Sequence, residues 1–237
     1  MRSTPREDEF YAHSKGHAGN WQTMRDHTQN VSTMAAGFAD AFGCAEEGRL
    51  AGLLHDLGKY SALFQRRLAG QGKGLDHWSM GAWAALFRAR QVNVAMAIQG
   101  HHIGLQQMNK ASLGLLSPDK LATQDRREGV VTETNLDLLM QRLQNDGFQI
   151  SQVDGAGKVL QGVGPMLATR MLFSCLVDAY YLDTSAHFEG TTERNIPSLE
   201  PQRAFELVLL VHREGTGFAQ RRMLRLLARF ADALRDG

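Results

Sequence analysis

Between Gly52 and Ser61 the chain reads Gly-Leu-Leu-His-Asp-Leu-Gly-Lys-Tyr-Ser. An apolar run ends there in two adjacent metal-capable side chains, His55 and Asp56, with Gly58 and Lys59 close behind. Neighbours on a helix point about 100° apart, so such a pair does not easily share one ion from mid-helix. At a helix end facing other ligands, it can. This dipeptide therefore asks the rest of the fold to gather ligands around the end of one helix.

The remaining chain supplies helices. From Trp21, the residues Met24, His27, Val31, Met34, Ala35, Phe38 and Phe42 recur at three- and four-residue steps, which puts His27 on a core-facing stripe. Gly43 ends this helix. A second helix is expected from about Ala45 to Leu57, with Gly58 as its stop. A short third one, Ser61 to Ala69, exposes Arg66 and Arg67 and runs into the loop Gly70-Gln71-Gly72-Lys73-Gly74. Asp76 is placed to cap a helix from His77 to about Arg90. Another, about Val92 to Gln99, leads into Gly100-His101-His102. Residues 105–160 are more polar, with one helix near Asn135 to Asn145, and read as a more variable insertion. Gly164-Pro165 opens a long helix with Leu167, Met171, Cys175, Asp178 and Leu182 on one stripe. Two more helices are expected over 201–213 and 218–235. There is no alternating β pattern and no repeat. The expectation is one all-α domain over 1–237, a helical bundle with a metal site at its centre.

Composition narrows the function classes. At 237 residues the chain can bury a substantial core. Lys+Arg 26 against Asp+Glu 25 leaves no global attraction to nucleic acid, so any such contact must come from a local patch or a metal. Met1 to Phe10 is polar, unlike a secretory signal, and no apolar run approaches the ~20 residues of a membrane helix. Cys44 and Cys175 lie far apart in apolar settings and read as free thiols in a reducing cytoplasm.

Imidazole combined with carboxylate suits Mn, Fe, Co, Ni or Zn, whereas Mg and Ca prefer oxygen alone. The doublets His55-Asp56 and His101-His102, with His27 and His77, provide enough ligands for two ions, one carboxylate bridging. Two ions about 3.5–4 Å apart suit phosphoester hydrolysis. Taken singly, each residue has an ordinary reading; an inward histidine such as His27 is more often a hydrogen-bonded core residue. The weight lies in the combination.

That combination, His…His-Asp…His…His-His…Asp on an all-α chain, resembles the HD phosphohydrolase superfamily. More narrowly it resembles the HD nuclease domain of the CRISPR-associated helicase-nuclease of type I systems. The likeness runs through Ala12-His13-Ser14, Trp21 to His27, Leu53 to Ser61 with Phe64-Gln65, Asp76-His77 with Gly81-Ala82, Gly100-His101-His102, and Arg170 to Asp178. It implies one ion held by His27, His55, Asp56 and Asp178, and a second held by His77, His101 and His102 with Asp56 as the bridge. The ions would be divalent transition metals, Mn, Fe, Co or Ni ahead of Zn or Mg. Hydroxide generated at them would be the nucleophile. Lys59 would orient ligands or contact the scissile phosphate. The implied substrate is single-stranded DNA, approached past Arg66, Arg67, Lys73, Arg88 and Arg90. The implied partner is a helicase that links the nuclease to the CRISPR surveillance complex. No G-x-x-x-x-G-K-[ST] loop occurs here, so the motor would be a separate subunit or domain. The Arg-rich stretch 218–235 would be its docking surface.

Two further readings stand beside this one: an HD phosphohydrolase acting on nucleotides or cyclic nucleotides, and a weakly active HD docking module. One departure from the pattern bears on both. Where such domains commonly read Asp-Ala-Asp, this chain reads Asp178-Ala179-Tyr180, with Thr184 in place. The stripe puts Asp178 inward, but the helix is apolar nearly all round, so its sequence alone leaves the choice of inward residue open.

Overall fold

The computed structural model describes residues 9–71, 75–106, 110–123, 131–150 and 163–190. The chain divides into two compact units, Met1–Thr192 and Glu193–Gly237. Everything described belongs to the first; the helices expected over 201–213 and 218–235, and Lys73, lie outside the described residues.

A hairpin-like pair opens the unit, β1 (Tyr11–His13) antiparallel to β2 (Gln22–Thr23). The Thr23 side chain accepts from the Asp26 amide and so starts α1 (Met24–Asp40). Then follow α2 (Ala45–Leu54), a 3₁₀ turn (Leu57–Tyr60), α3 (Ala62–Leu68) and β3 (Leu75–Asp76). The chain continues through α4 (Ser79–Phe87), α5 (Val92–Gly100), α6 (Lys110–Gly114) and α7 (Pro118–Thr123). β4 (Val131–Thr132) pairs parallel with β3, and α8 (Leu136–Asn145) and α9 (Val163–Glu189) complete the unit. The fold is all-α, as expected. The two short strand pairs were not foreseen, because two or three residues are too few to show alternation.

α2 is the hub. It packs on α1, α4, α5 and α9, while α1 and α5 also pack on α9. Leu50, Ala51 and Leu54 of α2 meet Val31 and Ala35 of α1, Ala95 and Ile98 of α5, and Leu172 and Leu176 of α9 in one buried cluster. Each fully buried leucine or isoleucine there contributes roughly 1.5–3 kcal/mol. Within α1 the expected stripe is buried at Met24, His27, Val31 and Ala35, but Phe38 is exposed.

Two glycines permit the close approaches that bring the site together. A Cβ on Gly81 of α4 would collide with the Leu54 carbonyl at the end of α2. A Cβ on Gly58 would lie 2.6 Å from the His77 Cα, and the Gly58 amide donates to the His77 carbonyl at 2.9 Å. Gly58 is thus a contact point with the segment that carries His77. The α-helix has already ended at Leu54, four residues before it.

Candidate metal centre

His55 is the C-cap of α2, still helical at φ −55°, ψ −36°, and Asp56 leaves the helix at φ −114°, ψ 24°. The break turns the two neighbouring side chains toward one point, as a shared ion requires. His27 reaches that point from α1. His77 comes from the segment between β3 and α4, where Asp76 accepts from the Trp78 and Ser79 amides and starts α4 at Ser79, two residues later than expected. His101 is the C-cap of α5, and His102 follows it at the open edge.

Two groups of ligand atoms result, and both contain Asp56. His27, His55 and Asp56 form one; Asp56, His77, His101 and His102 form the other. In the first, His27 Nε2 lies 3.1 Å from His55 Nε2 and 3.0 Å from Asp56 Oδ2, and His55 Nε2 lies 3.1 Å from that same oxygen. Two donors each about 2.1 Å from one ion and 90–110° apart stand about 3.0–3.4 Å from each other. In the second, Asp56 Oδ1 is 3.4 Å from His77 Nε2 and 3.7 Å from His101 Nε2, and His77 Nε2 is 2.8 Å from His102 Nε2. One carboxylate offers one oxygen to each group.

The tautomers show what the centre needs. His55 Nδ1 donates to the Gly52 carbonyl at 2.8 Å, and His101 Nδ1 to the Ile98 carbonyl at 2.6 Å. A carbonyl only accepts, so in the neutral ring each Nε2 is a lone pair. His27 Nδ1 donates to Asp183 Oδ2 at 2.6 Å, which fixes its Nε2 in the same way. Three imidazole lone pairs and a carboxylate therefore converge with few donors among them. Asp56 Oδ1 and His101 Nε2 face each other at 3.7 Å, too far for a hydrogen bond, and neither has another hydrogen-bond partner among the described residues. Buried acceptors gathered like this fit a cation. The residues can hold a metal ion.

Electrostatics agree. Burial lowers His55 to about 4 against the pull of Asp56, and lowers His77 to about 4, so both rings are neutral and ready to ligate at neutral pH. Burial pushes the Asp56 carboxyl up, but His55 and the Lys59 ammonium outweigh it and hold the group well below its ordinary value. Lys59, on the 3₁₀ turn, is itself buried, with Nζ 2.7 Å from Asp56 Oδ2.

Asp178 is a correction. The structure leaves it on the exposed side of α9, outside both ligand groups. The buried residues of α9 are Thr169, Leu172, Cys175, Leu176, Ala179 and Asp183, so Cys175 of the expected stripe is buried while Leu167 and Met171 are 49% and 44% exposed. A helix apolar on every side offers more than one stripe at the same period, and the packing of α1 and α5 selected another. Tyr180 takes the place beside the ligand groups: its ring lies 5.8–6.0 Å from those of His27, His55, His101 and His102. Burial and the nearby Asp56 raise its phenol to about 12.

Asp183 is the residue that sequence reasoning missed. Besides His27 it accepts from Gln22 Nε2 and from Asn30 Nδ2, each at 2.7 Å. Burial opposes its charge, but the His27, Asn30 and Gln22 hydrogen bonds prevail and lower its carboxyl. The available signal was a second acid, five residues after Asp178, in a largely apolar helix. His13, from β1, stands edge-on to His27 with ring centres 4.9 Å apart. Burial, with the nearby Lys59 charge, lowers it to about 2.

Of the basic residues expected along a substrate approach, Arg66 and Arg67 of α3 are exposed. Arg88 pairs with Asp137 at 2.5 Å, and it and Arg90 follow the far end of α4 from His77. No helix among the described residues is long and apolar enough to cross a membrane. No known family model and no curated protein matches this chain.

Proposed function

We propose that this chain is a metal-dependent phosphodiesterase that cleaves single-stranded DNA, using two transition-metal ions held around Asp56. One observation carries the reading: lone pairs of His27, His55 and His101 and both oxygens of Asp56 converge, and the two oxygens serve different ligand groups. Bound ions of this kind supply Lewis acidity to a phosphoryl oxygen and acidify a water to near-neutral pKa. The protein's own residues set the charge. Asp56 is the one carboxylate among the ligands, Lys59 offsets it, and burial holds His55, His77 and His102 neutral, so a loaded centre is strongly positive and favours an anionic phosphodiester. Arg66 and Arg67 are exposed on α3, which packs against the 3₁₀ turn carrying Lys59, and in this reading they would hold a phosphate backbone.

The choice of single-stranded DNA, and of a helicase partner within type I CRISPR interference, rests on the resemblance of the His-Asp and His-His motifs to that nuclease domain.

The test uses the full chain, stripped of metal and reloaded with Mn²⁺, Co²⁺ or Ni²⁺. It compares single-stranded DNA with duplex DNA, RNA, and a panel of nucleotides and cyclic nucleotides. Cleavage of single-stranded DNA that chelation abolishes, and that His55→Ala or Asp56→Asn reduces by about 10²-fold or more with the fold intact by circular dichroism, is the expected result. Hydrolysis confined to nucleotides would move the protein to the small-substrate reading. No hydrolysis by loaded protein would leave a docking module.

A further inference from the structure

The two ligand groups around Asp56 are not equivalent. The group of Asp56, His77, His101 and His102 has four ligands, and its carboxylate oxygen, Oδ1, carries no hydrogen bond among the described residues. The group of His27, His55 and Asp56 has three, and its oxygen, Oδ2, already meets a cation: Lys59 Nζ at 2.7 Å. Lys59 is 3% exposed, so that ammonium is fixed inside the centre. It also lies 5.8 Å from the centre of the Tyr180 ring and 5.5 Å from that of Phe64. Tyr180 walls this side with an aromatic face and adds no negative charge.

We propose that the two pockets load unequally: the four-ligand pocket takes the first ion, and Lys59 acts as a built-in counter-ion that keeps the three-ligand pocket weak. The proposal rests on the metal reading above. The physical reason is competition for one carboxylate. An ion entering the three-ligand pocket has one ligand fewer and shares Oδ2 with a buried positive charge a few ångströms away, where low dielectric strengthens repulsion. An ion in the four-ligand pocket uses the oxygen that Lys59 leaves open. The protein would thus hold one ion firmly and admit the second when its concentration is high, or when an anionic substrate offsets the charge.

The experiment is a Co²⁺ titration of the metal-free full chain, followed by calorimetry and by the visible absorption of bound cobalt, with elemental analysis for stoichiometry. Wild-type protein should bind one equivalent tightly and a second about tenfold or more weakly. Lys59→Met, which keeps the length and removes the charge, should strengthen the weak equivalent about tenfold and leave the tight one within about threefold. His102→Ala, at the open edge, should weaken the tight equivalent by about tenfold or more and spare the other. If Lys59→Met does not fold, His102→Ala decides the assignment alone. Two equivalents of matching affinity, a Lys59→Met ratio equal to wild type, or a His102→Ala effect on the weak equivalent would overturn the proposal. Failure of wild-type protein to bind Co²⁺ at all would instead remove the metal centre, and the loading order with it.

Discussion

A single carboxylate, Asp183, determines how His27 presents itself. It draws the Nδ1 proton of His27 to one side, which leaves Nε2 as a lone pair aimed at Asp56, and the amides of Gln22 and Asn30 hold the carboxylate in place. An amide at position 183 could donate to Nδ1 and push the proton onto Nε2, the ligating atom. Asp183→Asn should therefore lower metal affinity by about 10–100-fold, the usual effect of losing a histidine-orienting partner, while circular dichroism shows the helices unchanged. Asp178→Ala, on the exposed side of the same helix, should leave bound metal per chain as in wild type by elemental analysis. If the two effects came out reversed, Asp178 would be the ligand after all.

At the scale of elements, the centre depends on how the end of α2 meets the start of α4. The 3₁₀ turn that holds Lys59 is pinned from two sides. Gly58 donates to the His77 carbonyl, while Tyr60 donates from its hydroxyl to Asp146 at 2.6 Å and accepts from Arg142 at its carbonyl at 2.6 Å. Gly58→Ala should force the His77 segment outward. The overpacking should cost about 1–3 kcal/mol in denaturant unfolding. Because His77 belongs to the four-ligand group, the same variant should lose the tighter metal equivalent. A variant that lost stability and bound metal normally would show that the His77 segment can shift without opening the centre.

For the whole molecule, the buried imidazoles link stability to pH. Folding holds His55 and His77 at about 4 and His13 at about 2, against about 6.5 in an unfolded chain. Below about 6.5 the unfolded chain takes up protons that the folded one refuses, so stability falls as pH falls. The loss begins near pH 6.5 and runs down to about 4 for His55 and His77, and lower for His13. Metal-free protein should show a Tm that drops steadily from pH 7.5 to pH 4.5. Adding Mn²⁺ or Co²⁺ at pH 7.5 should raise Tm, since an ion at a hundred times its Kd stabilises the folded state by about 2.7 kcal/mol. A Tm flat across that range would mean the rings are not held neutral by the fold.

Much of this protein was legible in its sequence. Period and caps placed most of the described helices within a few residues, and six of the seven expected metal ligands converge. Those six sit where local sequence constrains the backbone: His55-Asp56 where a helix breaks, His77 beside the Asp76 cap, His101-His102 after a helix end, and His27 on a clear amphipathic stripe. The seventh failed for the opposite reason. α9 is apolar all round, so its rotation is not encoded in its own residues and is decided by what packs on it. Tertiary packing turned Asp178 outward and brought Tyr180 and Asp183 in. It also gave Gly58 its role, as a point of close approach between segments distant in space until the chain folds.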